Sequence, residues 1–165
     1  MSSINFNFRK EILSHNASLN YCYQCATCSS GCPIALLTNG KYNPRKIIEM
    51  AILGLQKELI EDQIPSVWLC STCQKCVELC PQKVELTGIF ELIKNLCFNE
   101  GKLPESFLAQ GQAVYENGIA IPYSKAILSR REKLELPQIK TAPIGEIQTL
   151  MKETNFDKNI GKREE

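Results

Sequence analysis

Cysteine is the residue type through which this sequence could do chemistry, and all but one of its nine cysteines fall in two short runs. The first run is CYQCATCSSGCP at residues 22–33, and the second is CSTCQKCVELCP at residues 70–81. Both have the spacing C-x2-C-x2-C-x3-C followed by proline, which is typical of bacterial-type [4Fe–4S] cluster binding. Three cysteines two residues apart let one tight loop contact three iron corners, while the fourth cysteine points away. The repeated spacing therefore predicts two [4Fe–4S] clusters.

The expected ligands follow from the rule that the fourth cysteine of each motif binds the other cluster. The first cluster is predicted on Cys22, Cys25, Cys28 and Cys80. The second cluster is predicted on Cys70, Cys73, Cys76 and Cys32. Pro33 and Pro81 lack an amide hydrogen and fix the backbone angle where the chain leaves each loop.

Other uses of clustered cysteines fit the spacing less well. Structural zinc sites use paired CxxC knuckles, and a third cysteine at the next step is surplus to a tetrahedral ion. Disulfide frameworks are typical of exported proteins, whereas this N-terminus has no basic segment followed by an apolar run. Loss of one iron to give a [3Fe–4S] cluster stays open, although every motif cysteine is present. The ninth cysteine, Cys97, is expected to be a small buried side chain, with a reactive thiol or an extra ligand as the alternative.

The composition limits the classes of function. The chain has 165 residues, enough for one domain with extensions, and 44% of them are hydrophobic. A net charge of +1 gives no electrostatic reason for a nucleic acid or an anionic membrane as partner. No uninterrupted run of about 18 apolar residues occurs, so no membrane span is expected, and the N-terminus indicates a cytoplasmic location. No catalytic residues are predicted, because no Ser/His/Asp set, paired carboxylates or Gly-rich phosphate loop is present.

The apolar periodicity predicts helices and no strand. Helices are expected at residues 4–13, 44–61, 87–100, 104–117, 123–133 and 144–154. Asn43 and Pro44 are a typical N-cap and first helical residue, and Gly101 is a typical C-terminal stop. Each cysteine loop is followed by a helix, so the sequence is an internal duplication. The predicted fold class is all-α or mainly α, with two cluster-binding loops between helices.

The same pattern divides the chain into four segments. Residues 1–20 are expected to form an N-terminal helix and lead-in, with Ile4, Phe8 and Ile12 on one face. The segments that follow are a cluster-binding domain at 21–101, a C-terminal helical extension at 102–137 and a polar tail at 138–165. The tail is expected to be partly disordered, from about residue 157 onward.

A few side chains near the motifs are candidates for tuning the clusters. Trp68, two residues before Cys70, is expected to shield a cluster from solvent. Lys75 and Lys83 are expected to be solvated surface lysines, with an effect on the field of the clusters as the alternative. His15, the single histidine, is expected in a polar loop at the surface.

The sequence resembles the C subunit of the coenzyme B–coenzyme M heterodisulfide reductases over about residues 4–137. The resemblance lies in CYQCATCSSGCP, in PRKIIEMAILG at residues 44–54, in WLCSTCQKCVELCPQKV at residues 68–84 and in RREKLELP at residues 130–137. The tandem cluster motif alone is common to many ferredoxin-like proteins. The resemblance becomes more specific to this family through the CYQC opening, the helix that begins at Pro44 and the RRxxLxLP segment.

The resemblance implies an α-helical ferredoxin fold and an electron-transfer role in an oxidoreductase complex of methanogenesis. In that family the A subunit, a flavin and iron–sulfur protein, bifurcates electrons, the C subunit relays them, and the B subunit cleaves the CoM-S-S-CoB disulfide. The A and B subunits of heterodisulfide reductase are therefore the expected partners, with a hydrogenase or formate dehydrogenase reached through the flavin protein. The cysteine-rich catalytic motif of the B subunit is absent from this sequence, so the chain is expected to be non-catalytic.

Other functions stay open at this point. One is a place in a heterodisulfide-reductase-like complex of sulfur metabolism, or in a succinate, fumarate or glycolate oxidoreductase. Another is a freely diffusing two-cluster ferredoxin, although such carriers tend to be smaller and strongly acidic. A purely structural role for the clusters is weaker, since two clusters held close together serve electron transfer.

Overall fold

A computed structural model describes residues 4–160, apart from the side chain at position 159, and the described residues contain helices and no strand. The prediction of a mainly α fold is therefore confirmed. The chain divides into two compact units, Met1–Lys102 and Leu103–Glu165. The first unit contains α1 (Phe6–His15), α2 (Thr27–Ser30), α3 (Pro33–Leu37), α4 (Pro44–Leu53), α5 (Lys75–Glu78) and α6 (Leu86–Asn99). The second unit contains α7 (Glu105–Asn117), α8 (Lys125–Lys133), α9 (Ile144–Glu153) and α10 (Phe156–Ile160).

The core of the first unit forms where α1, α4 and α6 pack against one another. Each helix contributes one apolar stripe, and the polar residues of these helices face outward except Thr87 of α6, which is buried. The side chains buried at this junction include Phe8, Ile12, Ile47, Ile48, Ala51, Ile89, Phe90 and Ile93. Burial of each large apolar side chain contributes roughly 1.5–3 kcal/mol, so this junction stabilises the unit that contains both cysteine loops.

Helix α4 begins as predicted and ends earlier than predicted. The Asn43 side chain accepts a hydrogen bond from the Lys46 amide at 3.0 Å, and Pro44 is the first helical residue. The helix ends at Leu53 because Gly54 takes a left-handed conformation with φ 75°. The expectation of one helix to residue 61 is therefore wrong. The apolar period continues past Gly54 because a separate π-helical turn, Lys57–Glu61, also buries its apolar residues in the core.

The start of the chain also differs from its prediction. Helix α1 begins at Phe6, with Asn5 as its cap, so Ile4 lies before the helix and is 53% exposed. Phe8 and Ile12 are buried as expected. His15 is the exposed last residue of α1 rather than part of a loop. The polar stretch that follows forms a 3-10 turn, Ala17–Tyr21, because its single leucine packs into the core.

The second unit is built on α7, which contacts both α9 and α10. Gly111 allows α10 to approach, since a Cβ at this position would lie 2.9 Å from the ring of Phe156. The Gln148 side chain of α9 donates to the Tyr115 carbonyl at 3.1 Å. Disorder was expected from about residue 157, but α10 continues to Ile160 because Phe156 and Ile160 both face Gly111. The rest of that predicted segment, residues 161–165, lies outside the described residues.

Candidate iron–sulfur centre

Two clefts in the first unit gather the motif cysteines into two groups of four. The first cleft has about 330 Å³ of open space and is lined by Cys22, Cys25, Cys28 and Cys80. The second cleft has about 300 Å³ and is lined by Cys32, Cys70, Cys73 and Cys76. Each group combines three cysteines of one motif with the fourth cysteine of the other. These are the two groups that the sequence spacing predicts as ligand sets.

Both cysteine loops curl in the same way, through left-handed residues that are not glycine. Gln24 and Ala26 have φ 61° and 67° in the first loop, and Thr72 and Gln74 have φ 53° and 61° in the second. The four residues occupy the same positions relative to their cysteines. Non-glycine residues take this conformation at a cost, usually where the surroundings require it. Loops with such left-handed residues are typical of sites for anionic groups.

Hydrogen bonds to the cysteine sulfurs already exist around both clefts. The Thr72 amide lies 3.4 Å from Cys70 Sγ, and the Val84 amide lies 3.4 Å from Cys80 Sγ. The Gln24 side-chain amide donates to Cys22 Sγ at 3.4 Å. Such donors stabilise negative charge on sulfur and orient the ligands.

The third cysteine of each motif lies on a short helix rather than on a loop, contrary to the prediction. Cys28 belongs to α2 and Cys76 belongs to α5, and these two helices pack against each other. Gly31 lies opposite Leu79 at this contact, where a Cβ would collide with the leucine methyl group. Burial, followed by the charges of Cys70 and Cys28, raises the pKa of the Cys76 thiol to about 12. The two clefts therefore adjoin through the α2–α5 contact.

The cysteines differ in exposure: the two buried motif cysteines both line the second cleft, and each cleft has one cysteine that is exposed at the surface. Cys32 and Cys76 are each 8% exposed, whereas Cys25 and Cys73 are exposed at the surface. Hydrogen bonds with the Thr27 side chain and backbone lower the pKa of Cys25. A backbone hydrogen bond from Lys75 lowers the pKa of Cys73. A lowered pKa favours the thiolate, which is the form that binds iron.

The second cleft contains a buried phenol that the sequence analysis did not identify. Tyr42 lines this cleft beside Cys70, is 1% exposed, and packs its ring edge-on against Phe90 at a centroid distance of 6.4 Å. Burial and then the adjacent Cys70 raise the pKa of Tyr42, so the hydroxyl keeps its proton. Tyr42 directly precedes the N-cap of α4, and this position is the only sequence signal that could have marked it.

Charged side chains also approach the two clefts. Arg45 lines the first cleft and lies 3.8 Å from the Glu49 carboxylate. Lys75 is exposed, as expected of a solvated lysine, and it also lines the second cleft. Lys94, which the sequence analysis missed, donates from Nζ to the Cys70 carbonyl at 3.2 Å. A cation near a cluster favours the reduced, more negative state.

Trp68 does not have the predicted place. Its indole N–H donates to the Lys102 carbonyl at 3.2 Å and its ring packs on the core, and it is not among the described residues that line either cleft. The expectation for Cys97 as a buried side chain is confirmed, since it is 0% exposed and its thiol lies 3.8 Å from the Leu59 carbonyl. Burial raises the pKa of Cys97 to about 11.

The residues present fit cubane clusters. Each cleft offers four sulfur donors, which are the ligands that [4Fe–4S] clusters take. All nine cysteines are free thiols, so none is committed to a disulfide. Within residues 4–160, no three His, Cys, Asp or Glu side chains are placed to hold a single metal ion, and the sulfurs instead surround two spaces. No helix in the described part of the chain is long and apolar enough to cross a membrane.

Comparison with known proteins agrees with this arrangement. Residues 18–84 match the family model of the 4Fe-4S dicluster domain. The chain is similar to the C subunit of H2:CoB-CoM heterodisulfide,ferredoxin reductase of Methanothermobacter thermautotrophicus, with 34% identity over 87% of this chain and 79% of the relative. It is also similar to the iron-sulfur C2 subunit of CoB–CoM heterodisulfide reductase of Methanocaldococcus jannaschii, with 32% identity over 97% and 91%. A third relative, the C2 subunit of H2/formate:CoB-CoM heterodisulfide,ferredoxin reductase of Methanococcus maripaludis, is 35% identical over 88% and 79%.

These comparisons confirm the prediction of two [4Fe–4S] clusters. The matched segment contains both cysteine motifs and the start of the loop that leads to α6. An iron–sulfur electron-transfer role is shared with the proteins that the chain resembles over most of its length.

Proposed function

The chain belongs to the family of CoB–CoM heterodisulfide reductase C subunits, and we propose that it relays electrons inside such a complex. Electrons enter from the A subunit, which holds flavin and iron–sulfur groups, and leave to the B subunit, which reduces CoM-S-S-CoB. The observation that carries the proposal is the pair of adjoining cysteine clefts, each with one cysteine exposed at the surface. Two adjoining carriers, each with an exposed cysteine, suit a relay between two partners.

We propose the crossed ligand sets for the two clusters. Cys22, Cys25, Cys28 and Cys80 hold the first cluster, and Cys70, Cys73, Cys76 and Cys32 hold the second. Held by these cysteines, a [4Fe–4S] cluster in each cleft would supply one-electron transfer. The crossed fourth ligand fixes the two loops to each other, which keeps the distance between the clusters constant.

The chain's own residues direct the electrons by their exposure. Cys32 and Cys76 are buried toward the interior, and the contact of α2 with α5 brings Cys28 close to Cys76. Cys25 and Cys73 face outward. We infer that transfer between the clusters would pass by Cys28 of the first cleft and Cys76 of the second, and that exchange with partner proteins would occur near Cys25 and Cys73.

Apolar side chains around the motifs supply surfaces for docking. Tyr23 is 58% exposed beside the first motif, and Leu37 is 80% exposed on the helix that follows Cys32. Leu69 and Leu79 are also exposed next to motif cysteines. Exposed apolar groups of this kind are typical of protein–protein interfaces. They support a fixed position in a complex over free diffusion, as does the net charge of +1.

The electron source and the location are part of the proposal. Two of the relatives are named for H2 and for H2 or formate, which supports a hydrogenase or formate dehydrogenase that feeds electrons through the flavin protein. We place the complex in the cytoplasm. Because the relay protein does not touch the disulfide, a related complex of sulfur metabolism is the alternative assignment.

Anaerobic affinity purification of the tagged chain from its native cells tests the function. We expect about eight irons per chain, a copurifying flavoprotein and a copurifying cysteine-rich protein, with reduction of CoM-S-S-CoB by the purified complex. A matched purification of the Cys97→Ala variant controls for loss of a cysteine that is outside both clefts. Full iron without any copurifying oxidoreductase would instead indicate a diffusible carrier, and reduction of a different disulfide would indicate the sulfur-metabolism complex.

A further inference from the structure

The duplication places two different side chains at one equivalent position. Helices α4 and α6, which follow the two motifs, begin at Pro44 and Leu86. Tyr42 and Val84 each lie two residues before that first helical residue. Tyr42 lines the second cleft, and Val84 lines the first. One half of the molecule therefore has a phenol where the other half has an apolar side chain.

The hydroxyl group of Tyr42 is buried from water and makes no well-formed hydrogen bond among the described residues, and the Cys70 side chain is the group that interacts with it most strongly. The ring itself is well packed, at 1% exposure and edge-on to Phe90 with an interplanar angle of 74°. A buried donor left without an acceptor costs about 1–3 kcal/mol, and folded proteins rarely retain one without a reason. The position of this hydroxyl in the cleft beside Cys70 indicates that its acceptor is the group that the cleft binds.

We propose that the Tyr42 hydroxyl donates an O–H···S hydrogen bond to the second cluster at Cys70 and thereby raises the reduction potential of that cluster. The inference rests on the proposed ligand set of the second cluster. Reduction adds negative charge to the cluster and its sulfurs, and a hydrogen bond to sulfur stabilises the reduced state more than the oxidised state. The Val84 side chain has no donor at the equivalent position in the first cleft, where only its backbone amide reaches a cysteine, at 3.4 Å from Cys80 Sγ. The two clusters would thus have the same type of ligand, four cysteines each, but only the second would accept a hydrogen bond from a phenol.

The Tyr42→Phe variant removes the donor and keeps the ring and its contact with Phe90. We expect full iron content, and an EPR-monitored redox titration in which the equilibrium constant for reducing the second cluster falls about tenfold relative to the first. For a one-electron couple this fall corresponds to a shift of about 59 mV to lower potential. In deuterated buffer, the reduced wild-type second cluster is expected to show coupling to an exchangeable deuteron that the variant lacks.

A matched control is available in the first half. Tyr23 also interacts with a motif cysteine, Cys25, but this residue is 58% exposed, so water can replace its hydroxyl. Tyr23→Phe is therefore expected to shift either potential by much less than Tyr42→Phe. Equal shifts in the two variants, or unchanged potentials and deuteron coupling in fully loaded Tyr42→Phe, would overturn the proposal.

The Cys80→Ser background separates this inference from the ligand proposal beneath it. If the crossed ligand sets are correct, Cys80→Ser retains the second cluster, and adding Tyr42→Phe lowers the potential of that remaining cluster. If Cys80→Ser instead removes the cluster that Tyr42→Phe affects, the ligand assignment is wrong. A retained second cluster whose potential ignores Tyr42→Phe would contradict the hydrogen bond alone.

Discussion

The two cysteine loops share their spacing and their left-handed residues, and the fourth cysteine of each lines the cleft of the other, yet the loops are supported differently. In the first half, Ser29 of the loop donates to Asn43 at 2.7 Å and accepts from the Arg45 amide at 2.9 Å, which joins the loop directly to α4. In the second half, the Glu85 amide at the start of α6 donates to Ser18 at 3.3 Å, in the segment that precedes the first motif. The spacing and backbone conformation of the two motifs are thus repeated, whereas the hydrogen bonds around the two loops differ.

Helices α4 and α6, which follow the two motifs, also differ in length and in how they end. Helix α4 has 10 residues, ends at Leu53 and is capped by Gly54, whose carbonyl accepts from the Asn5 amide at 2.8 Å. Helix α6 has 14 residues and is followed by Gly101, around which the described structure leaves space. The duplication therefore provides matched positions, at which the same substitution is expected to have different effects.

The largest effect is expected at the fourth cysteines, where the halves depend on each other. Cys80→Ser is predicted to remove the first cluster, and Cys32→Ser the second. The reason is that the fourth cysteine of each motif is proposed to bind the cluster held by the other motif. Each variant should contain about four irons in place of about eight. Iron analysis and EPR of the reduced proteins, with the signals assigned by comparison of the two variants, measure this outcome.

Cys97→Ala is the control for this pair, since its buried thiol is outside both clefts. It should keep both signals. If Cys80→Ser and Cys70→Ser remove the same EPR signal, each loop holds its own cluster. That result would contradict the crossed arrangement.

A smaller effect is expected at the two glycines that follow α4 and α6. Both have left-handed φ angles, 75° at Gly54 and 69° at Gly101, which cost an alanine about 1–2 kcal/mol. A Cβ at Gly54 would also lie 2.6 Å from the Asn5 carbonyl oxygen, whereas Gly101 has nothing within 4 Å. Gly54→Ala is therefore predicted to lower the free energy of unfolding by roughly 3 kcal/mol and Gly101→Ala by about 1 kcal/mol. Anaerobic denaturant unfolding of the loaded chain measures both, and equal losses would mean that the Asn5 contact is unimportant.

The smallest effect concerns the N-caps of the same helices. The Asn43 side chain accepts from the Lys46 amide, whereas Glu85 makes no side-chain hydrogen bond as the cap of α6. Asn43→Ala is predicted to cost about 1 kcal/mol of unfolding free energy and Glu85→Ala only a few tenths. Thermal unfolding followed by helix circular dichroism compares the two. A larger loss in Glu85→Ala would indicate that α6, rather than α4, depends on its cap.

Much of the site could be predicted because local sequence determines it. Cysteine spacing predicts the two groups that line the clefts, although their roles as ligands stay a prediction. Asn43, Pro44 and Gly101 mark helix ends correctly because capping is a local effect. The predicted extension of α4 to residue 61 is wrong because the apolar period runs on across Gly54, whose left-handed conformation ends the helix.

The remaining features depend on tertiary contacts. Tyr42 is distant in sequence from Cys70, and only the packing of both halves brings its hydroxyl into the second cleft. Lys94 reaches the Cys70 carbonyl for the same reason. Trp68, by contrast, is close to Cys70 in sequence and yet bonds to Lys102. Proximity along the chain is therefore a poor guide to which side chains surround a cluster.

The relay itself is tested most directly by rapid-freeze Mössbauer spectroscopy of the complex, with this chain alone loaded with the isotope iron-57. Only the clusters of this chain then contribute to the spectrum. The account predicts that they become reduced when the electron donor is added and are reoxidised by CoM-S-S-CoB, both at least as fast as turnover. Clusters that stay oxidised throughout turnover, or that change more slowly than the disulfide is reduced, would contradict the account.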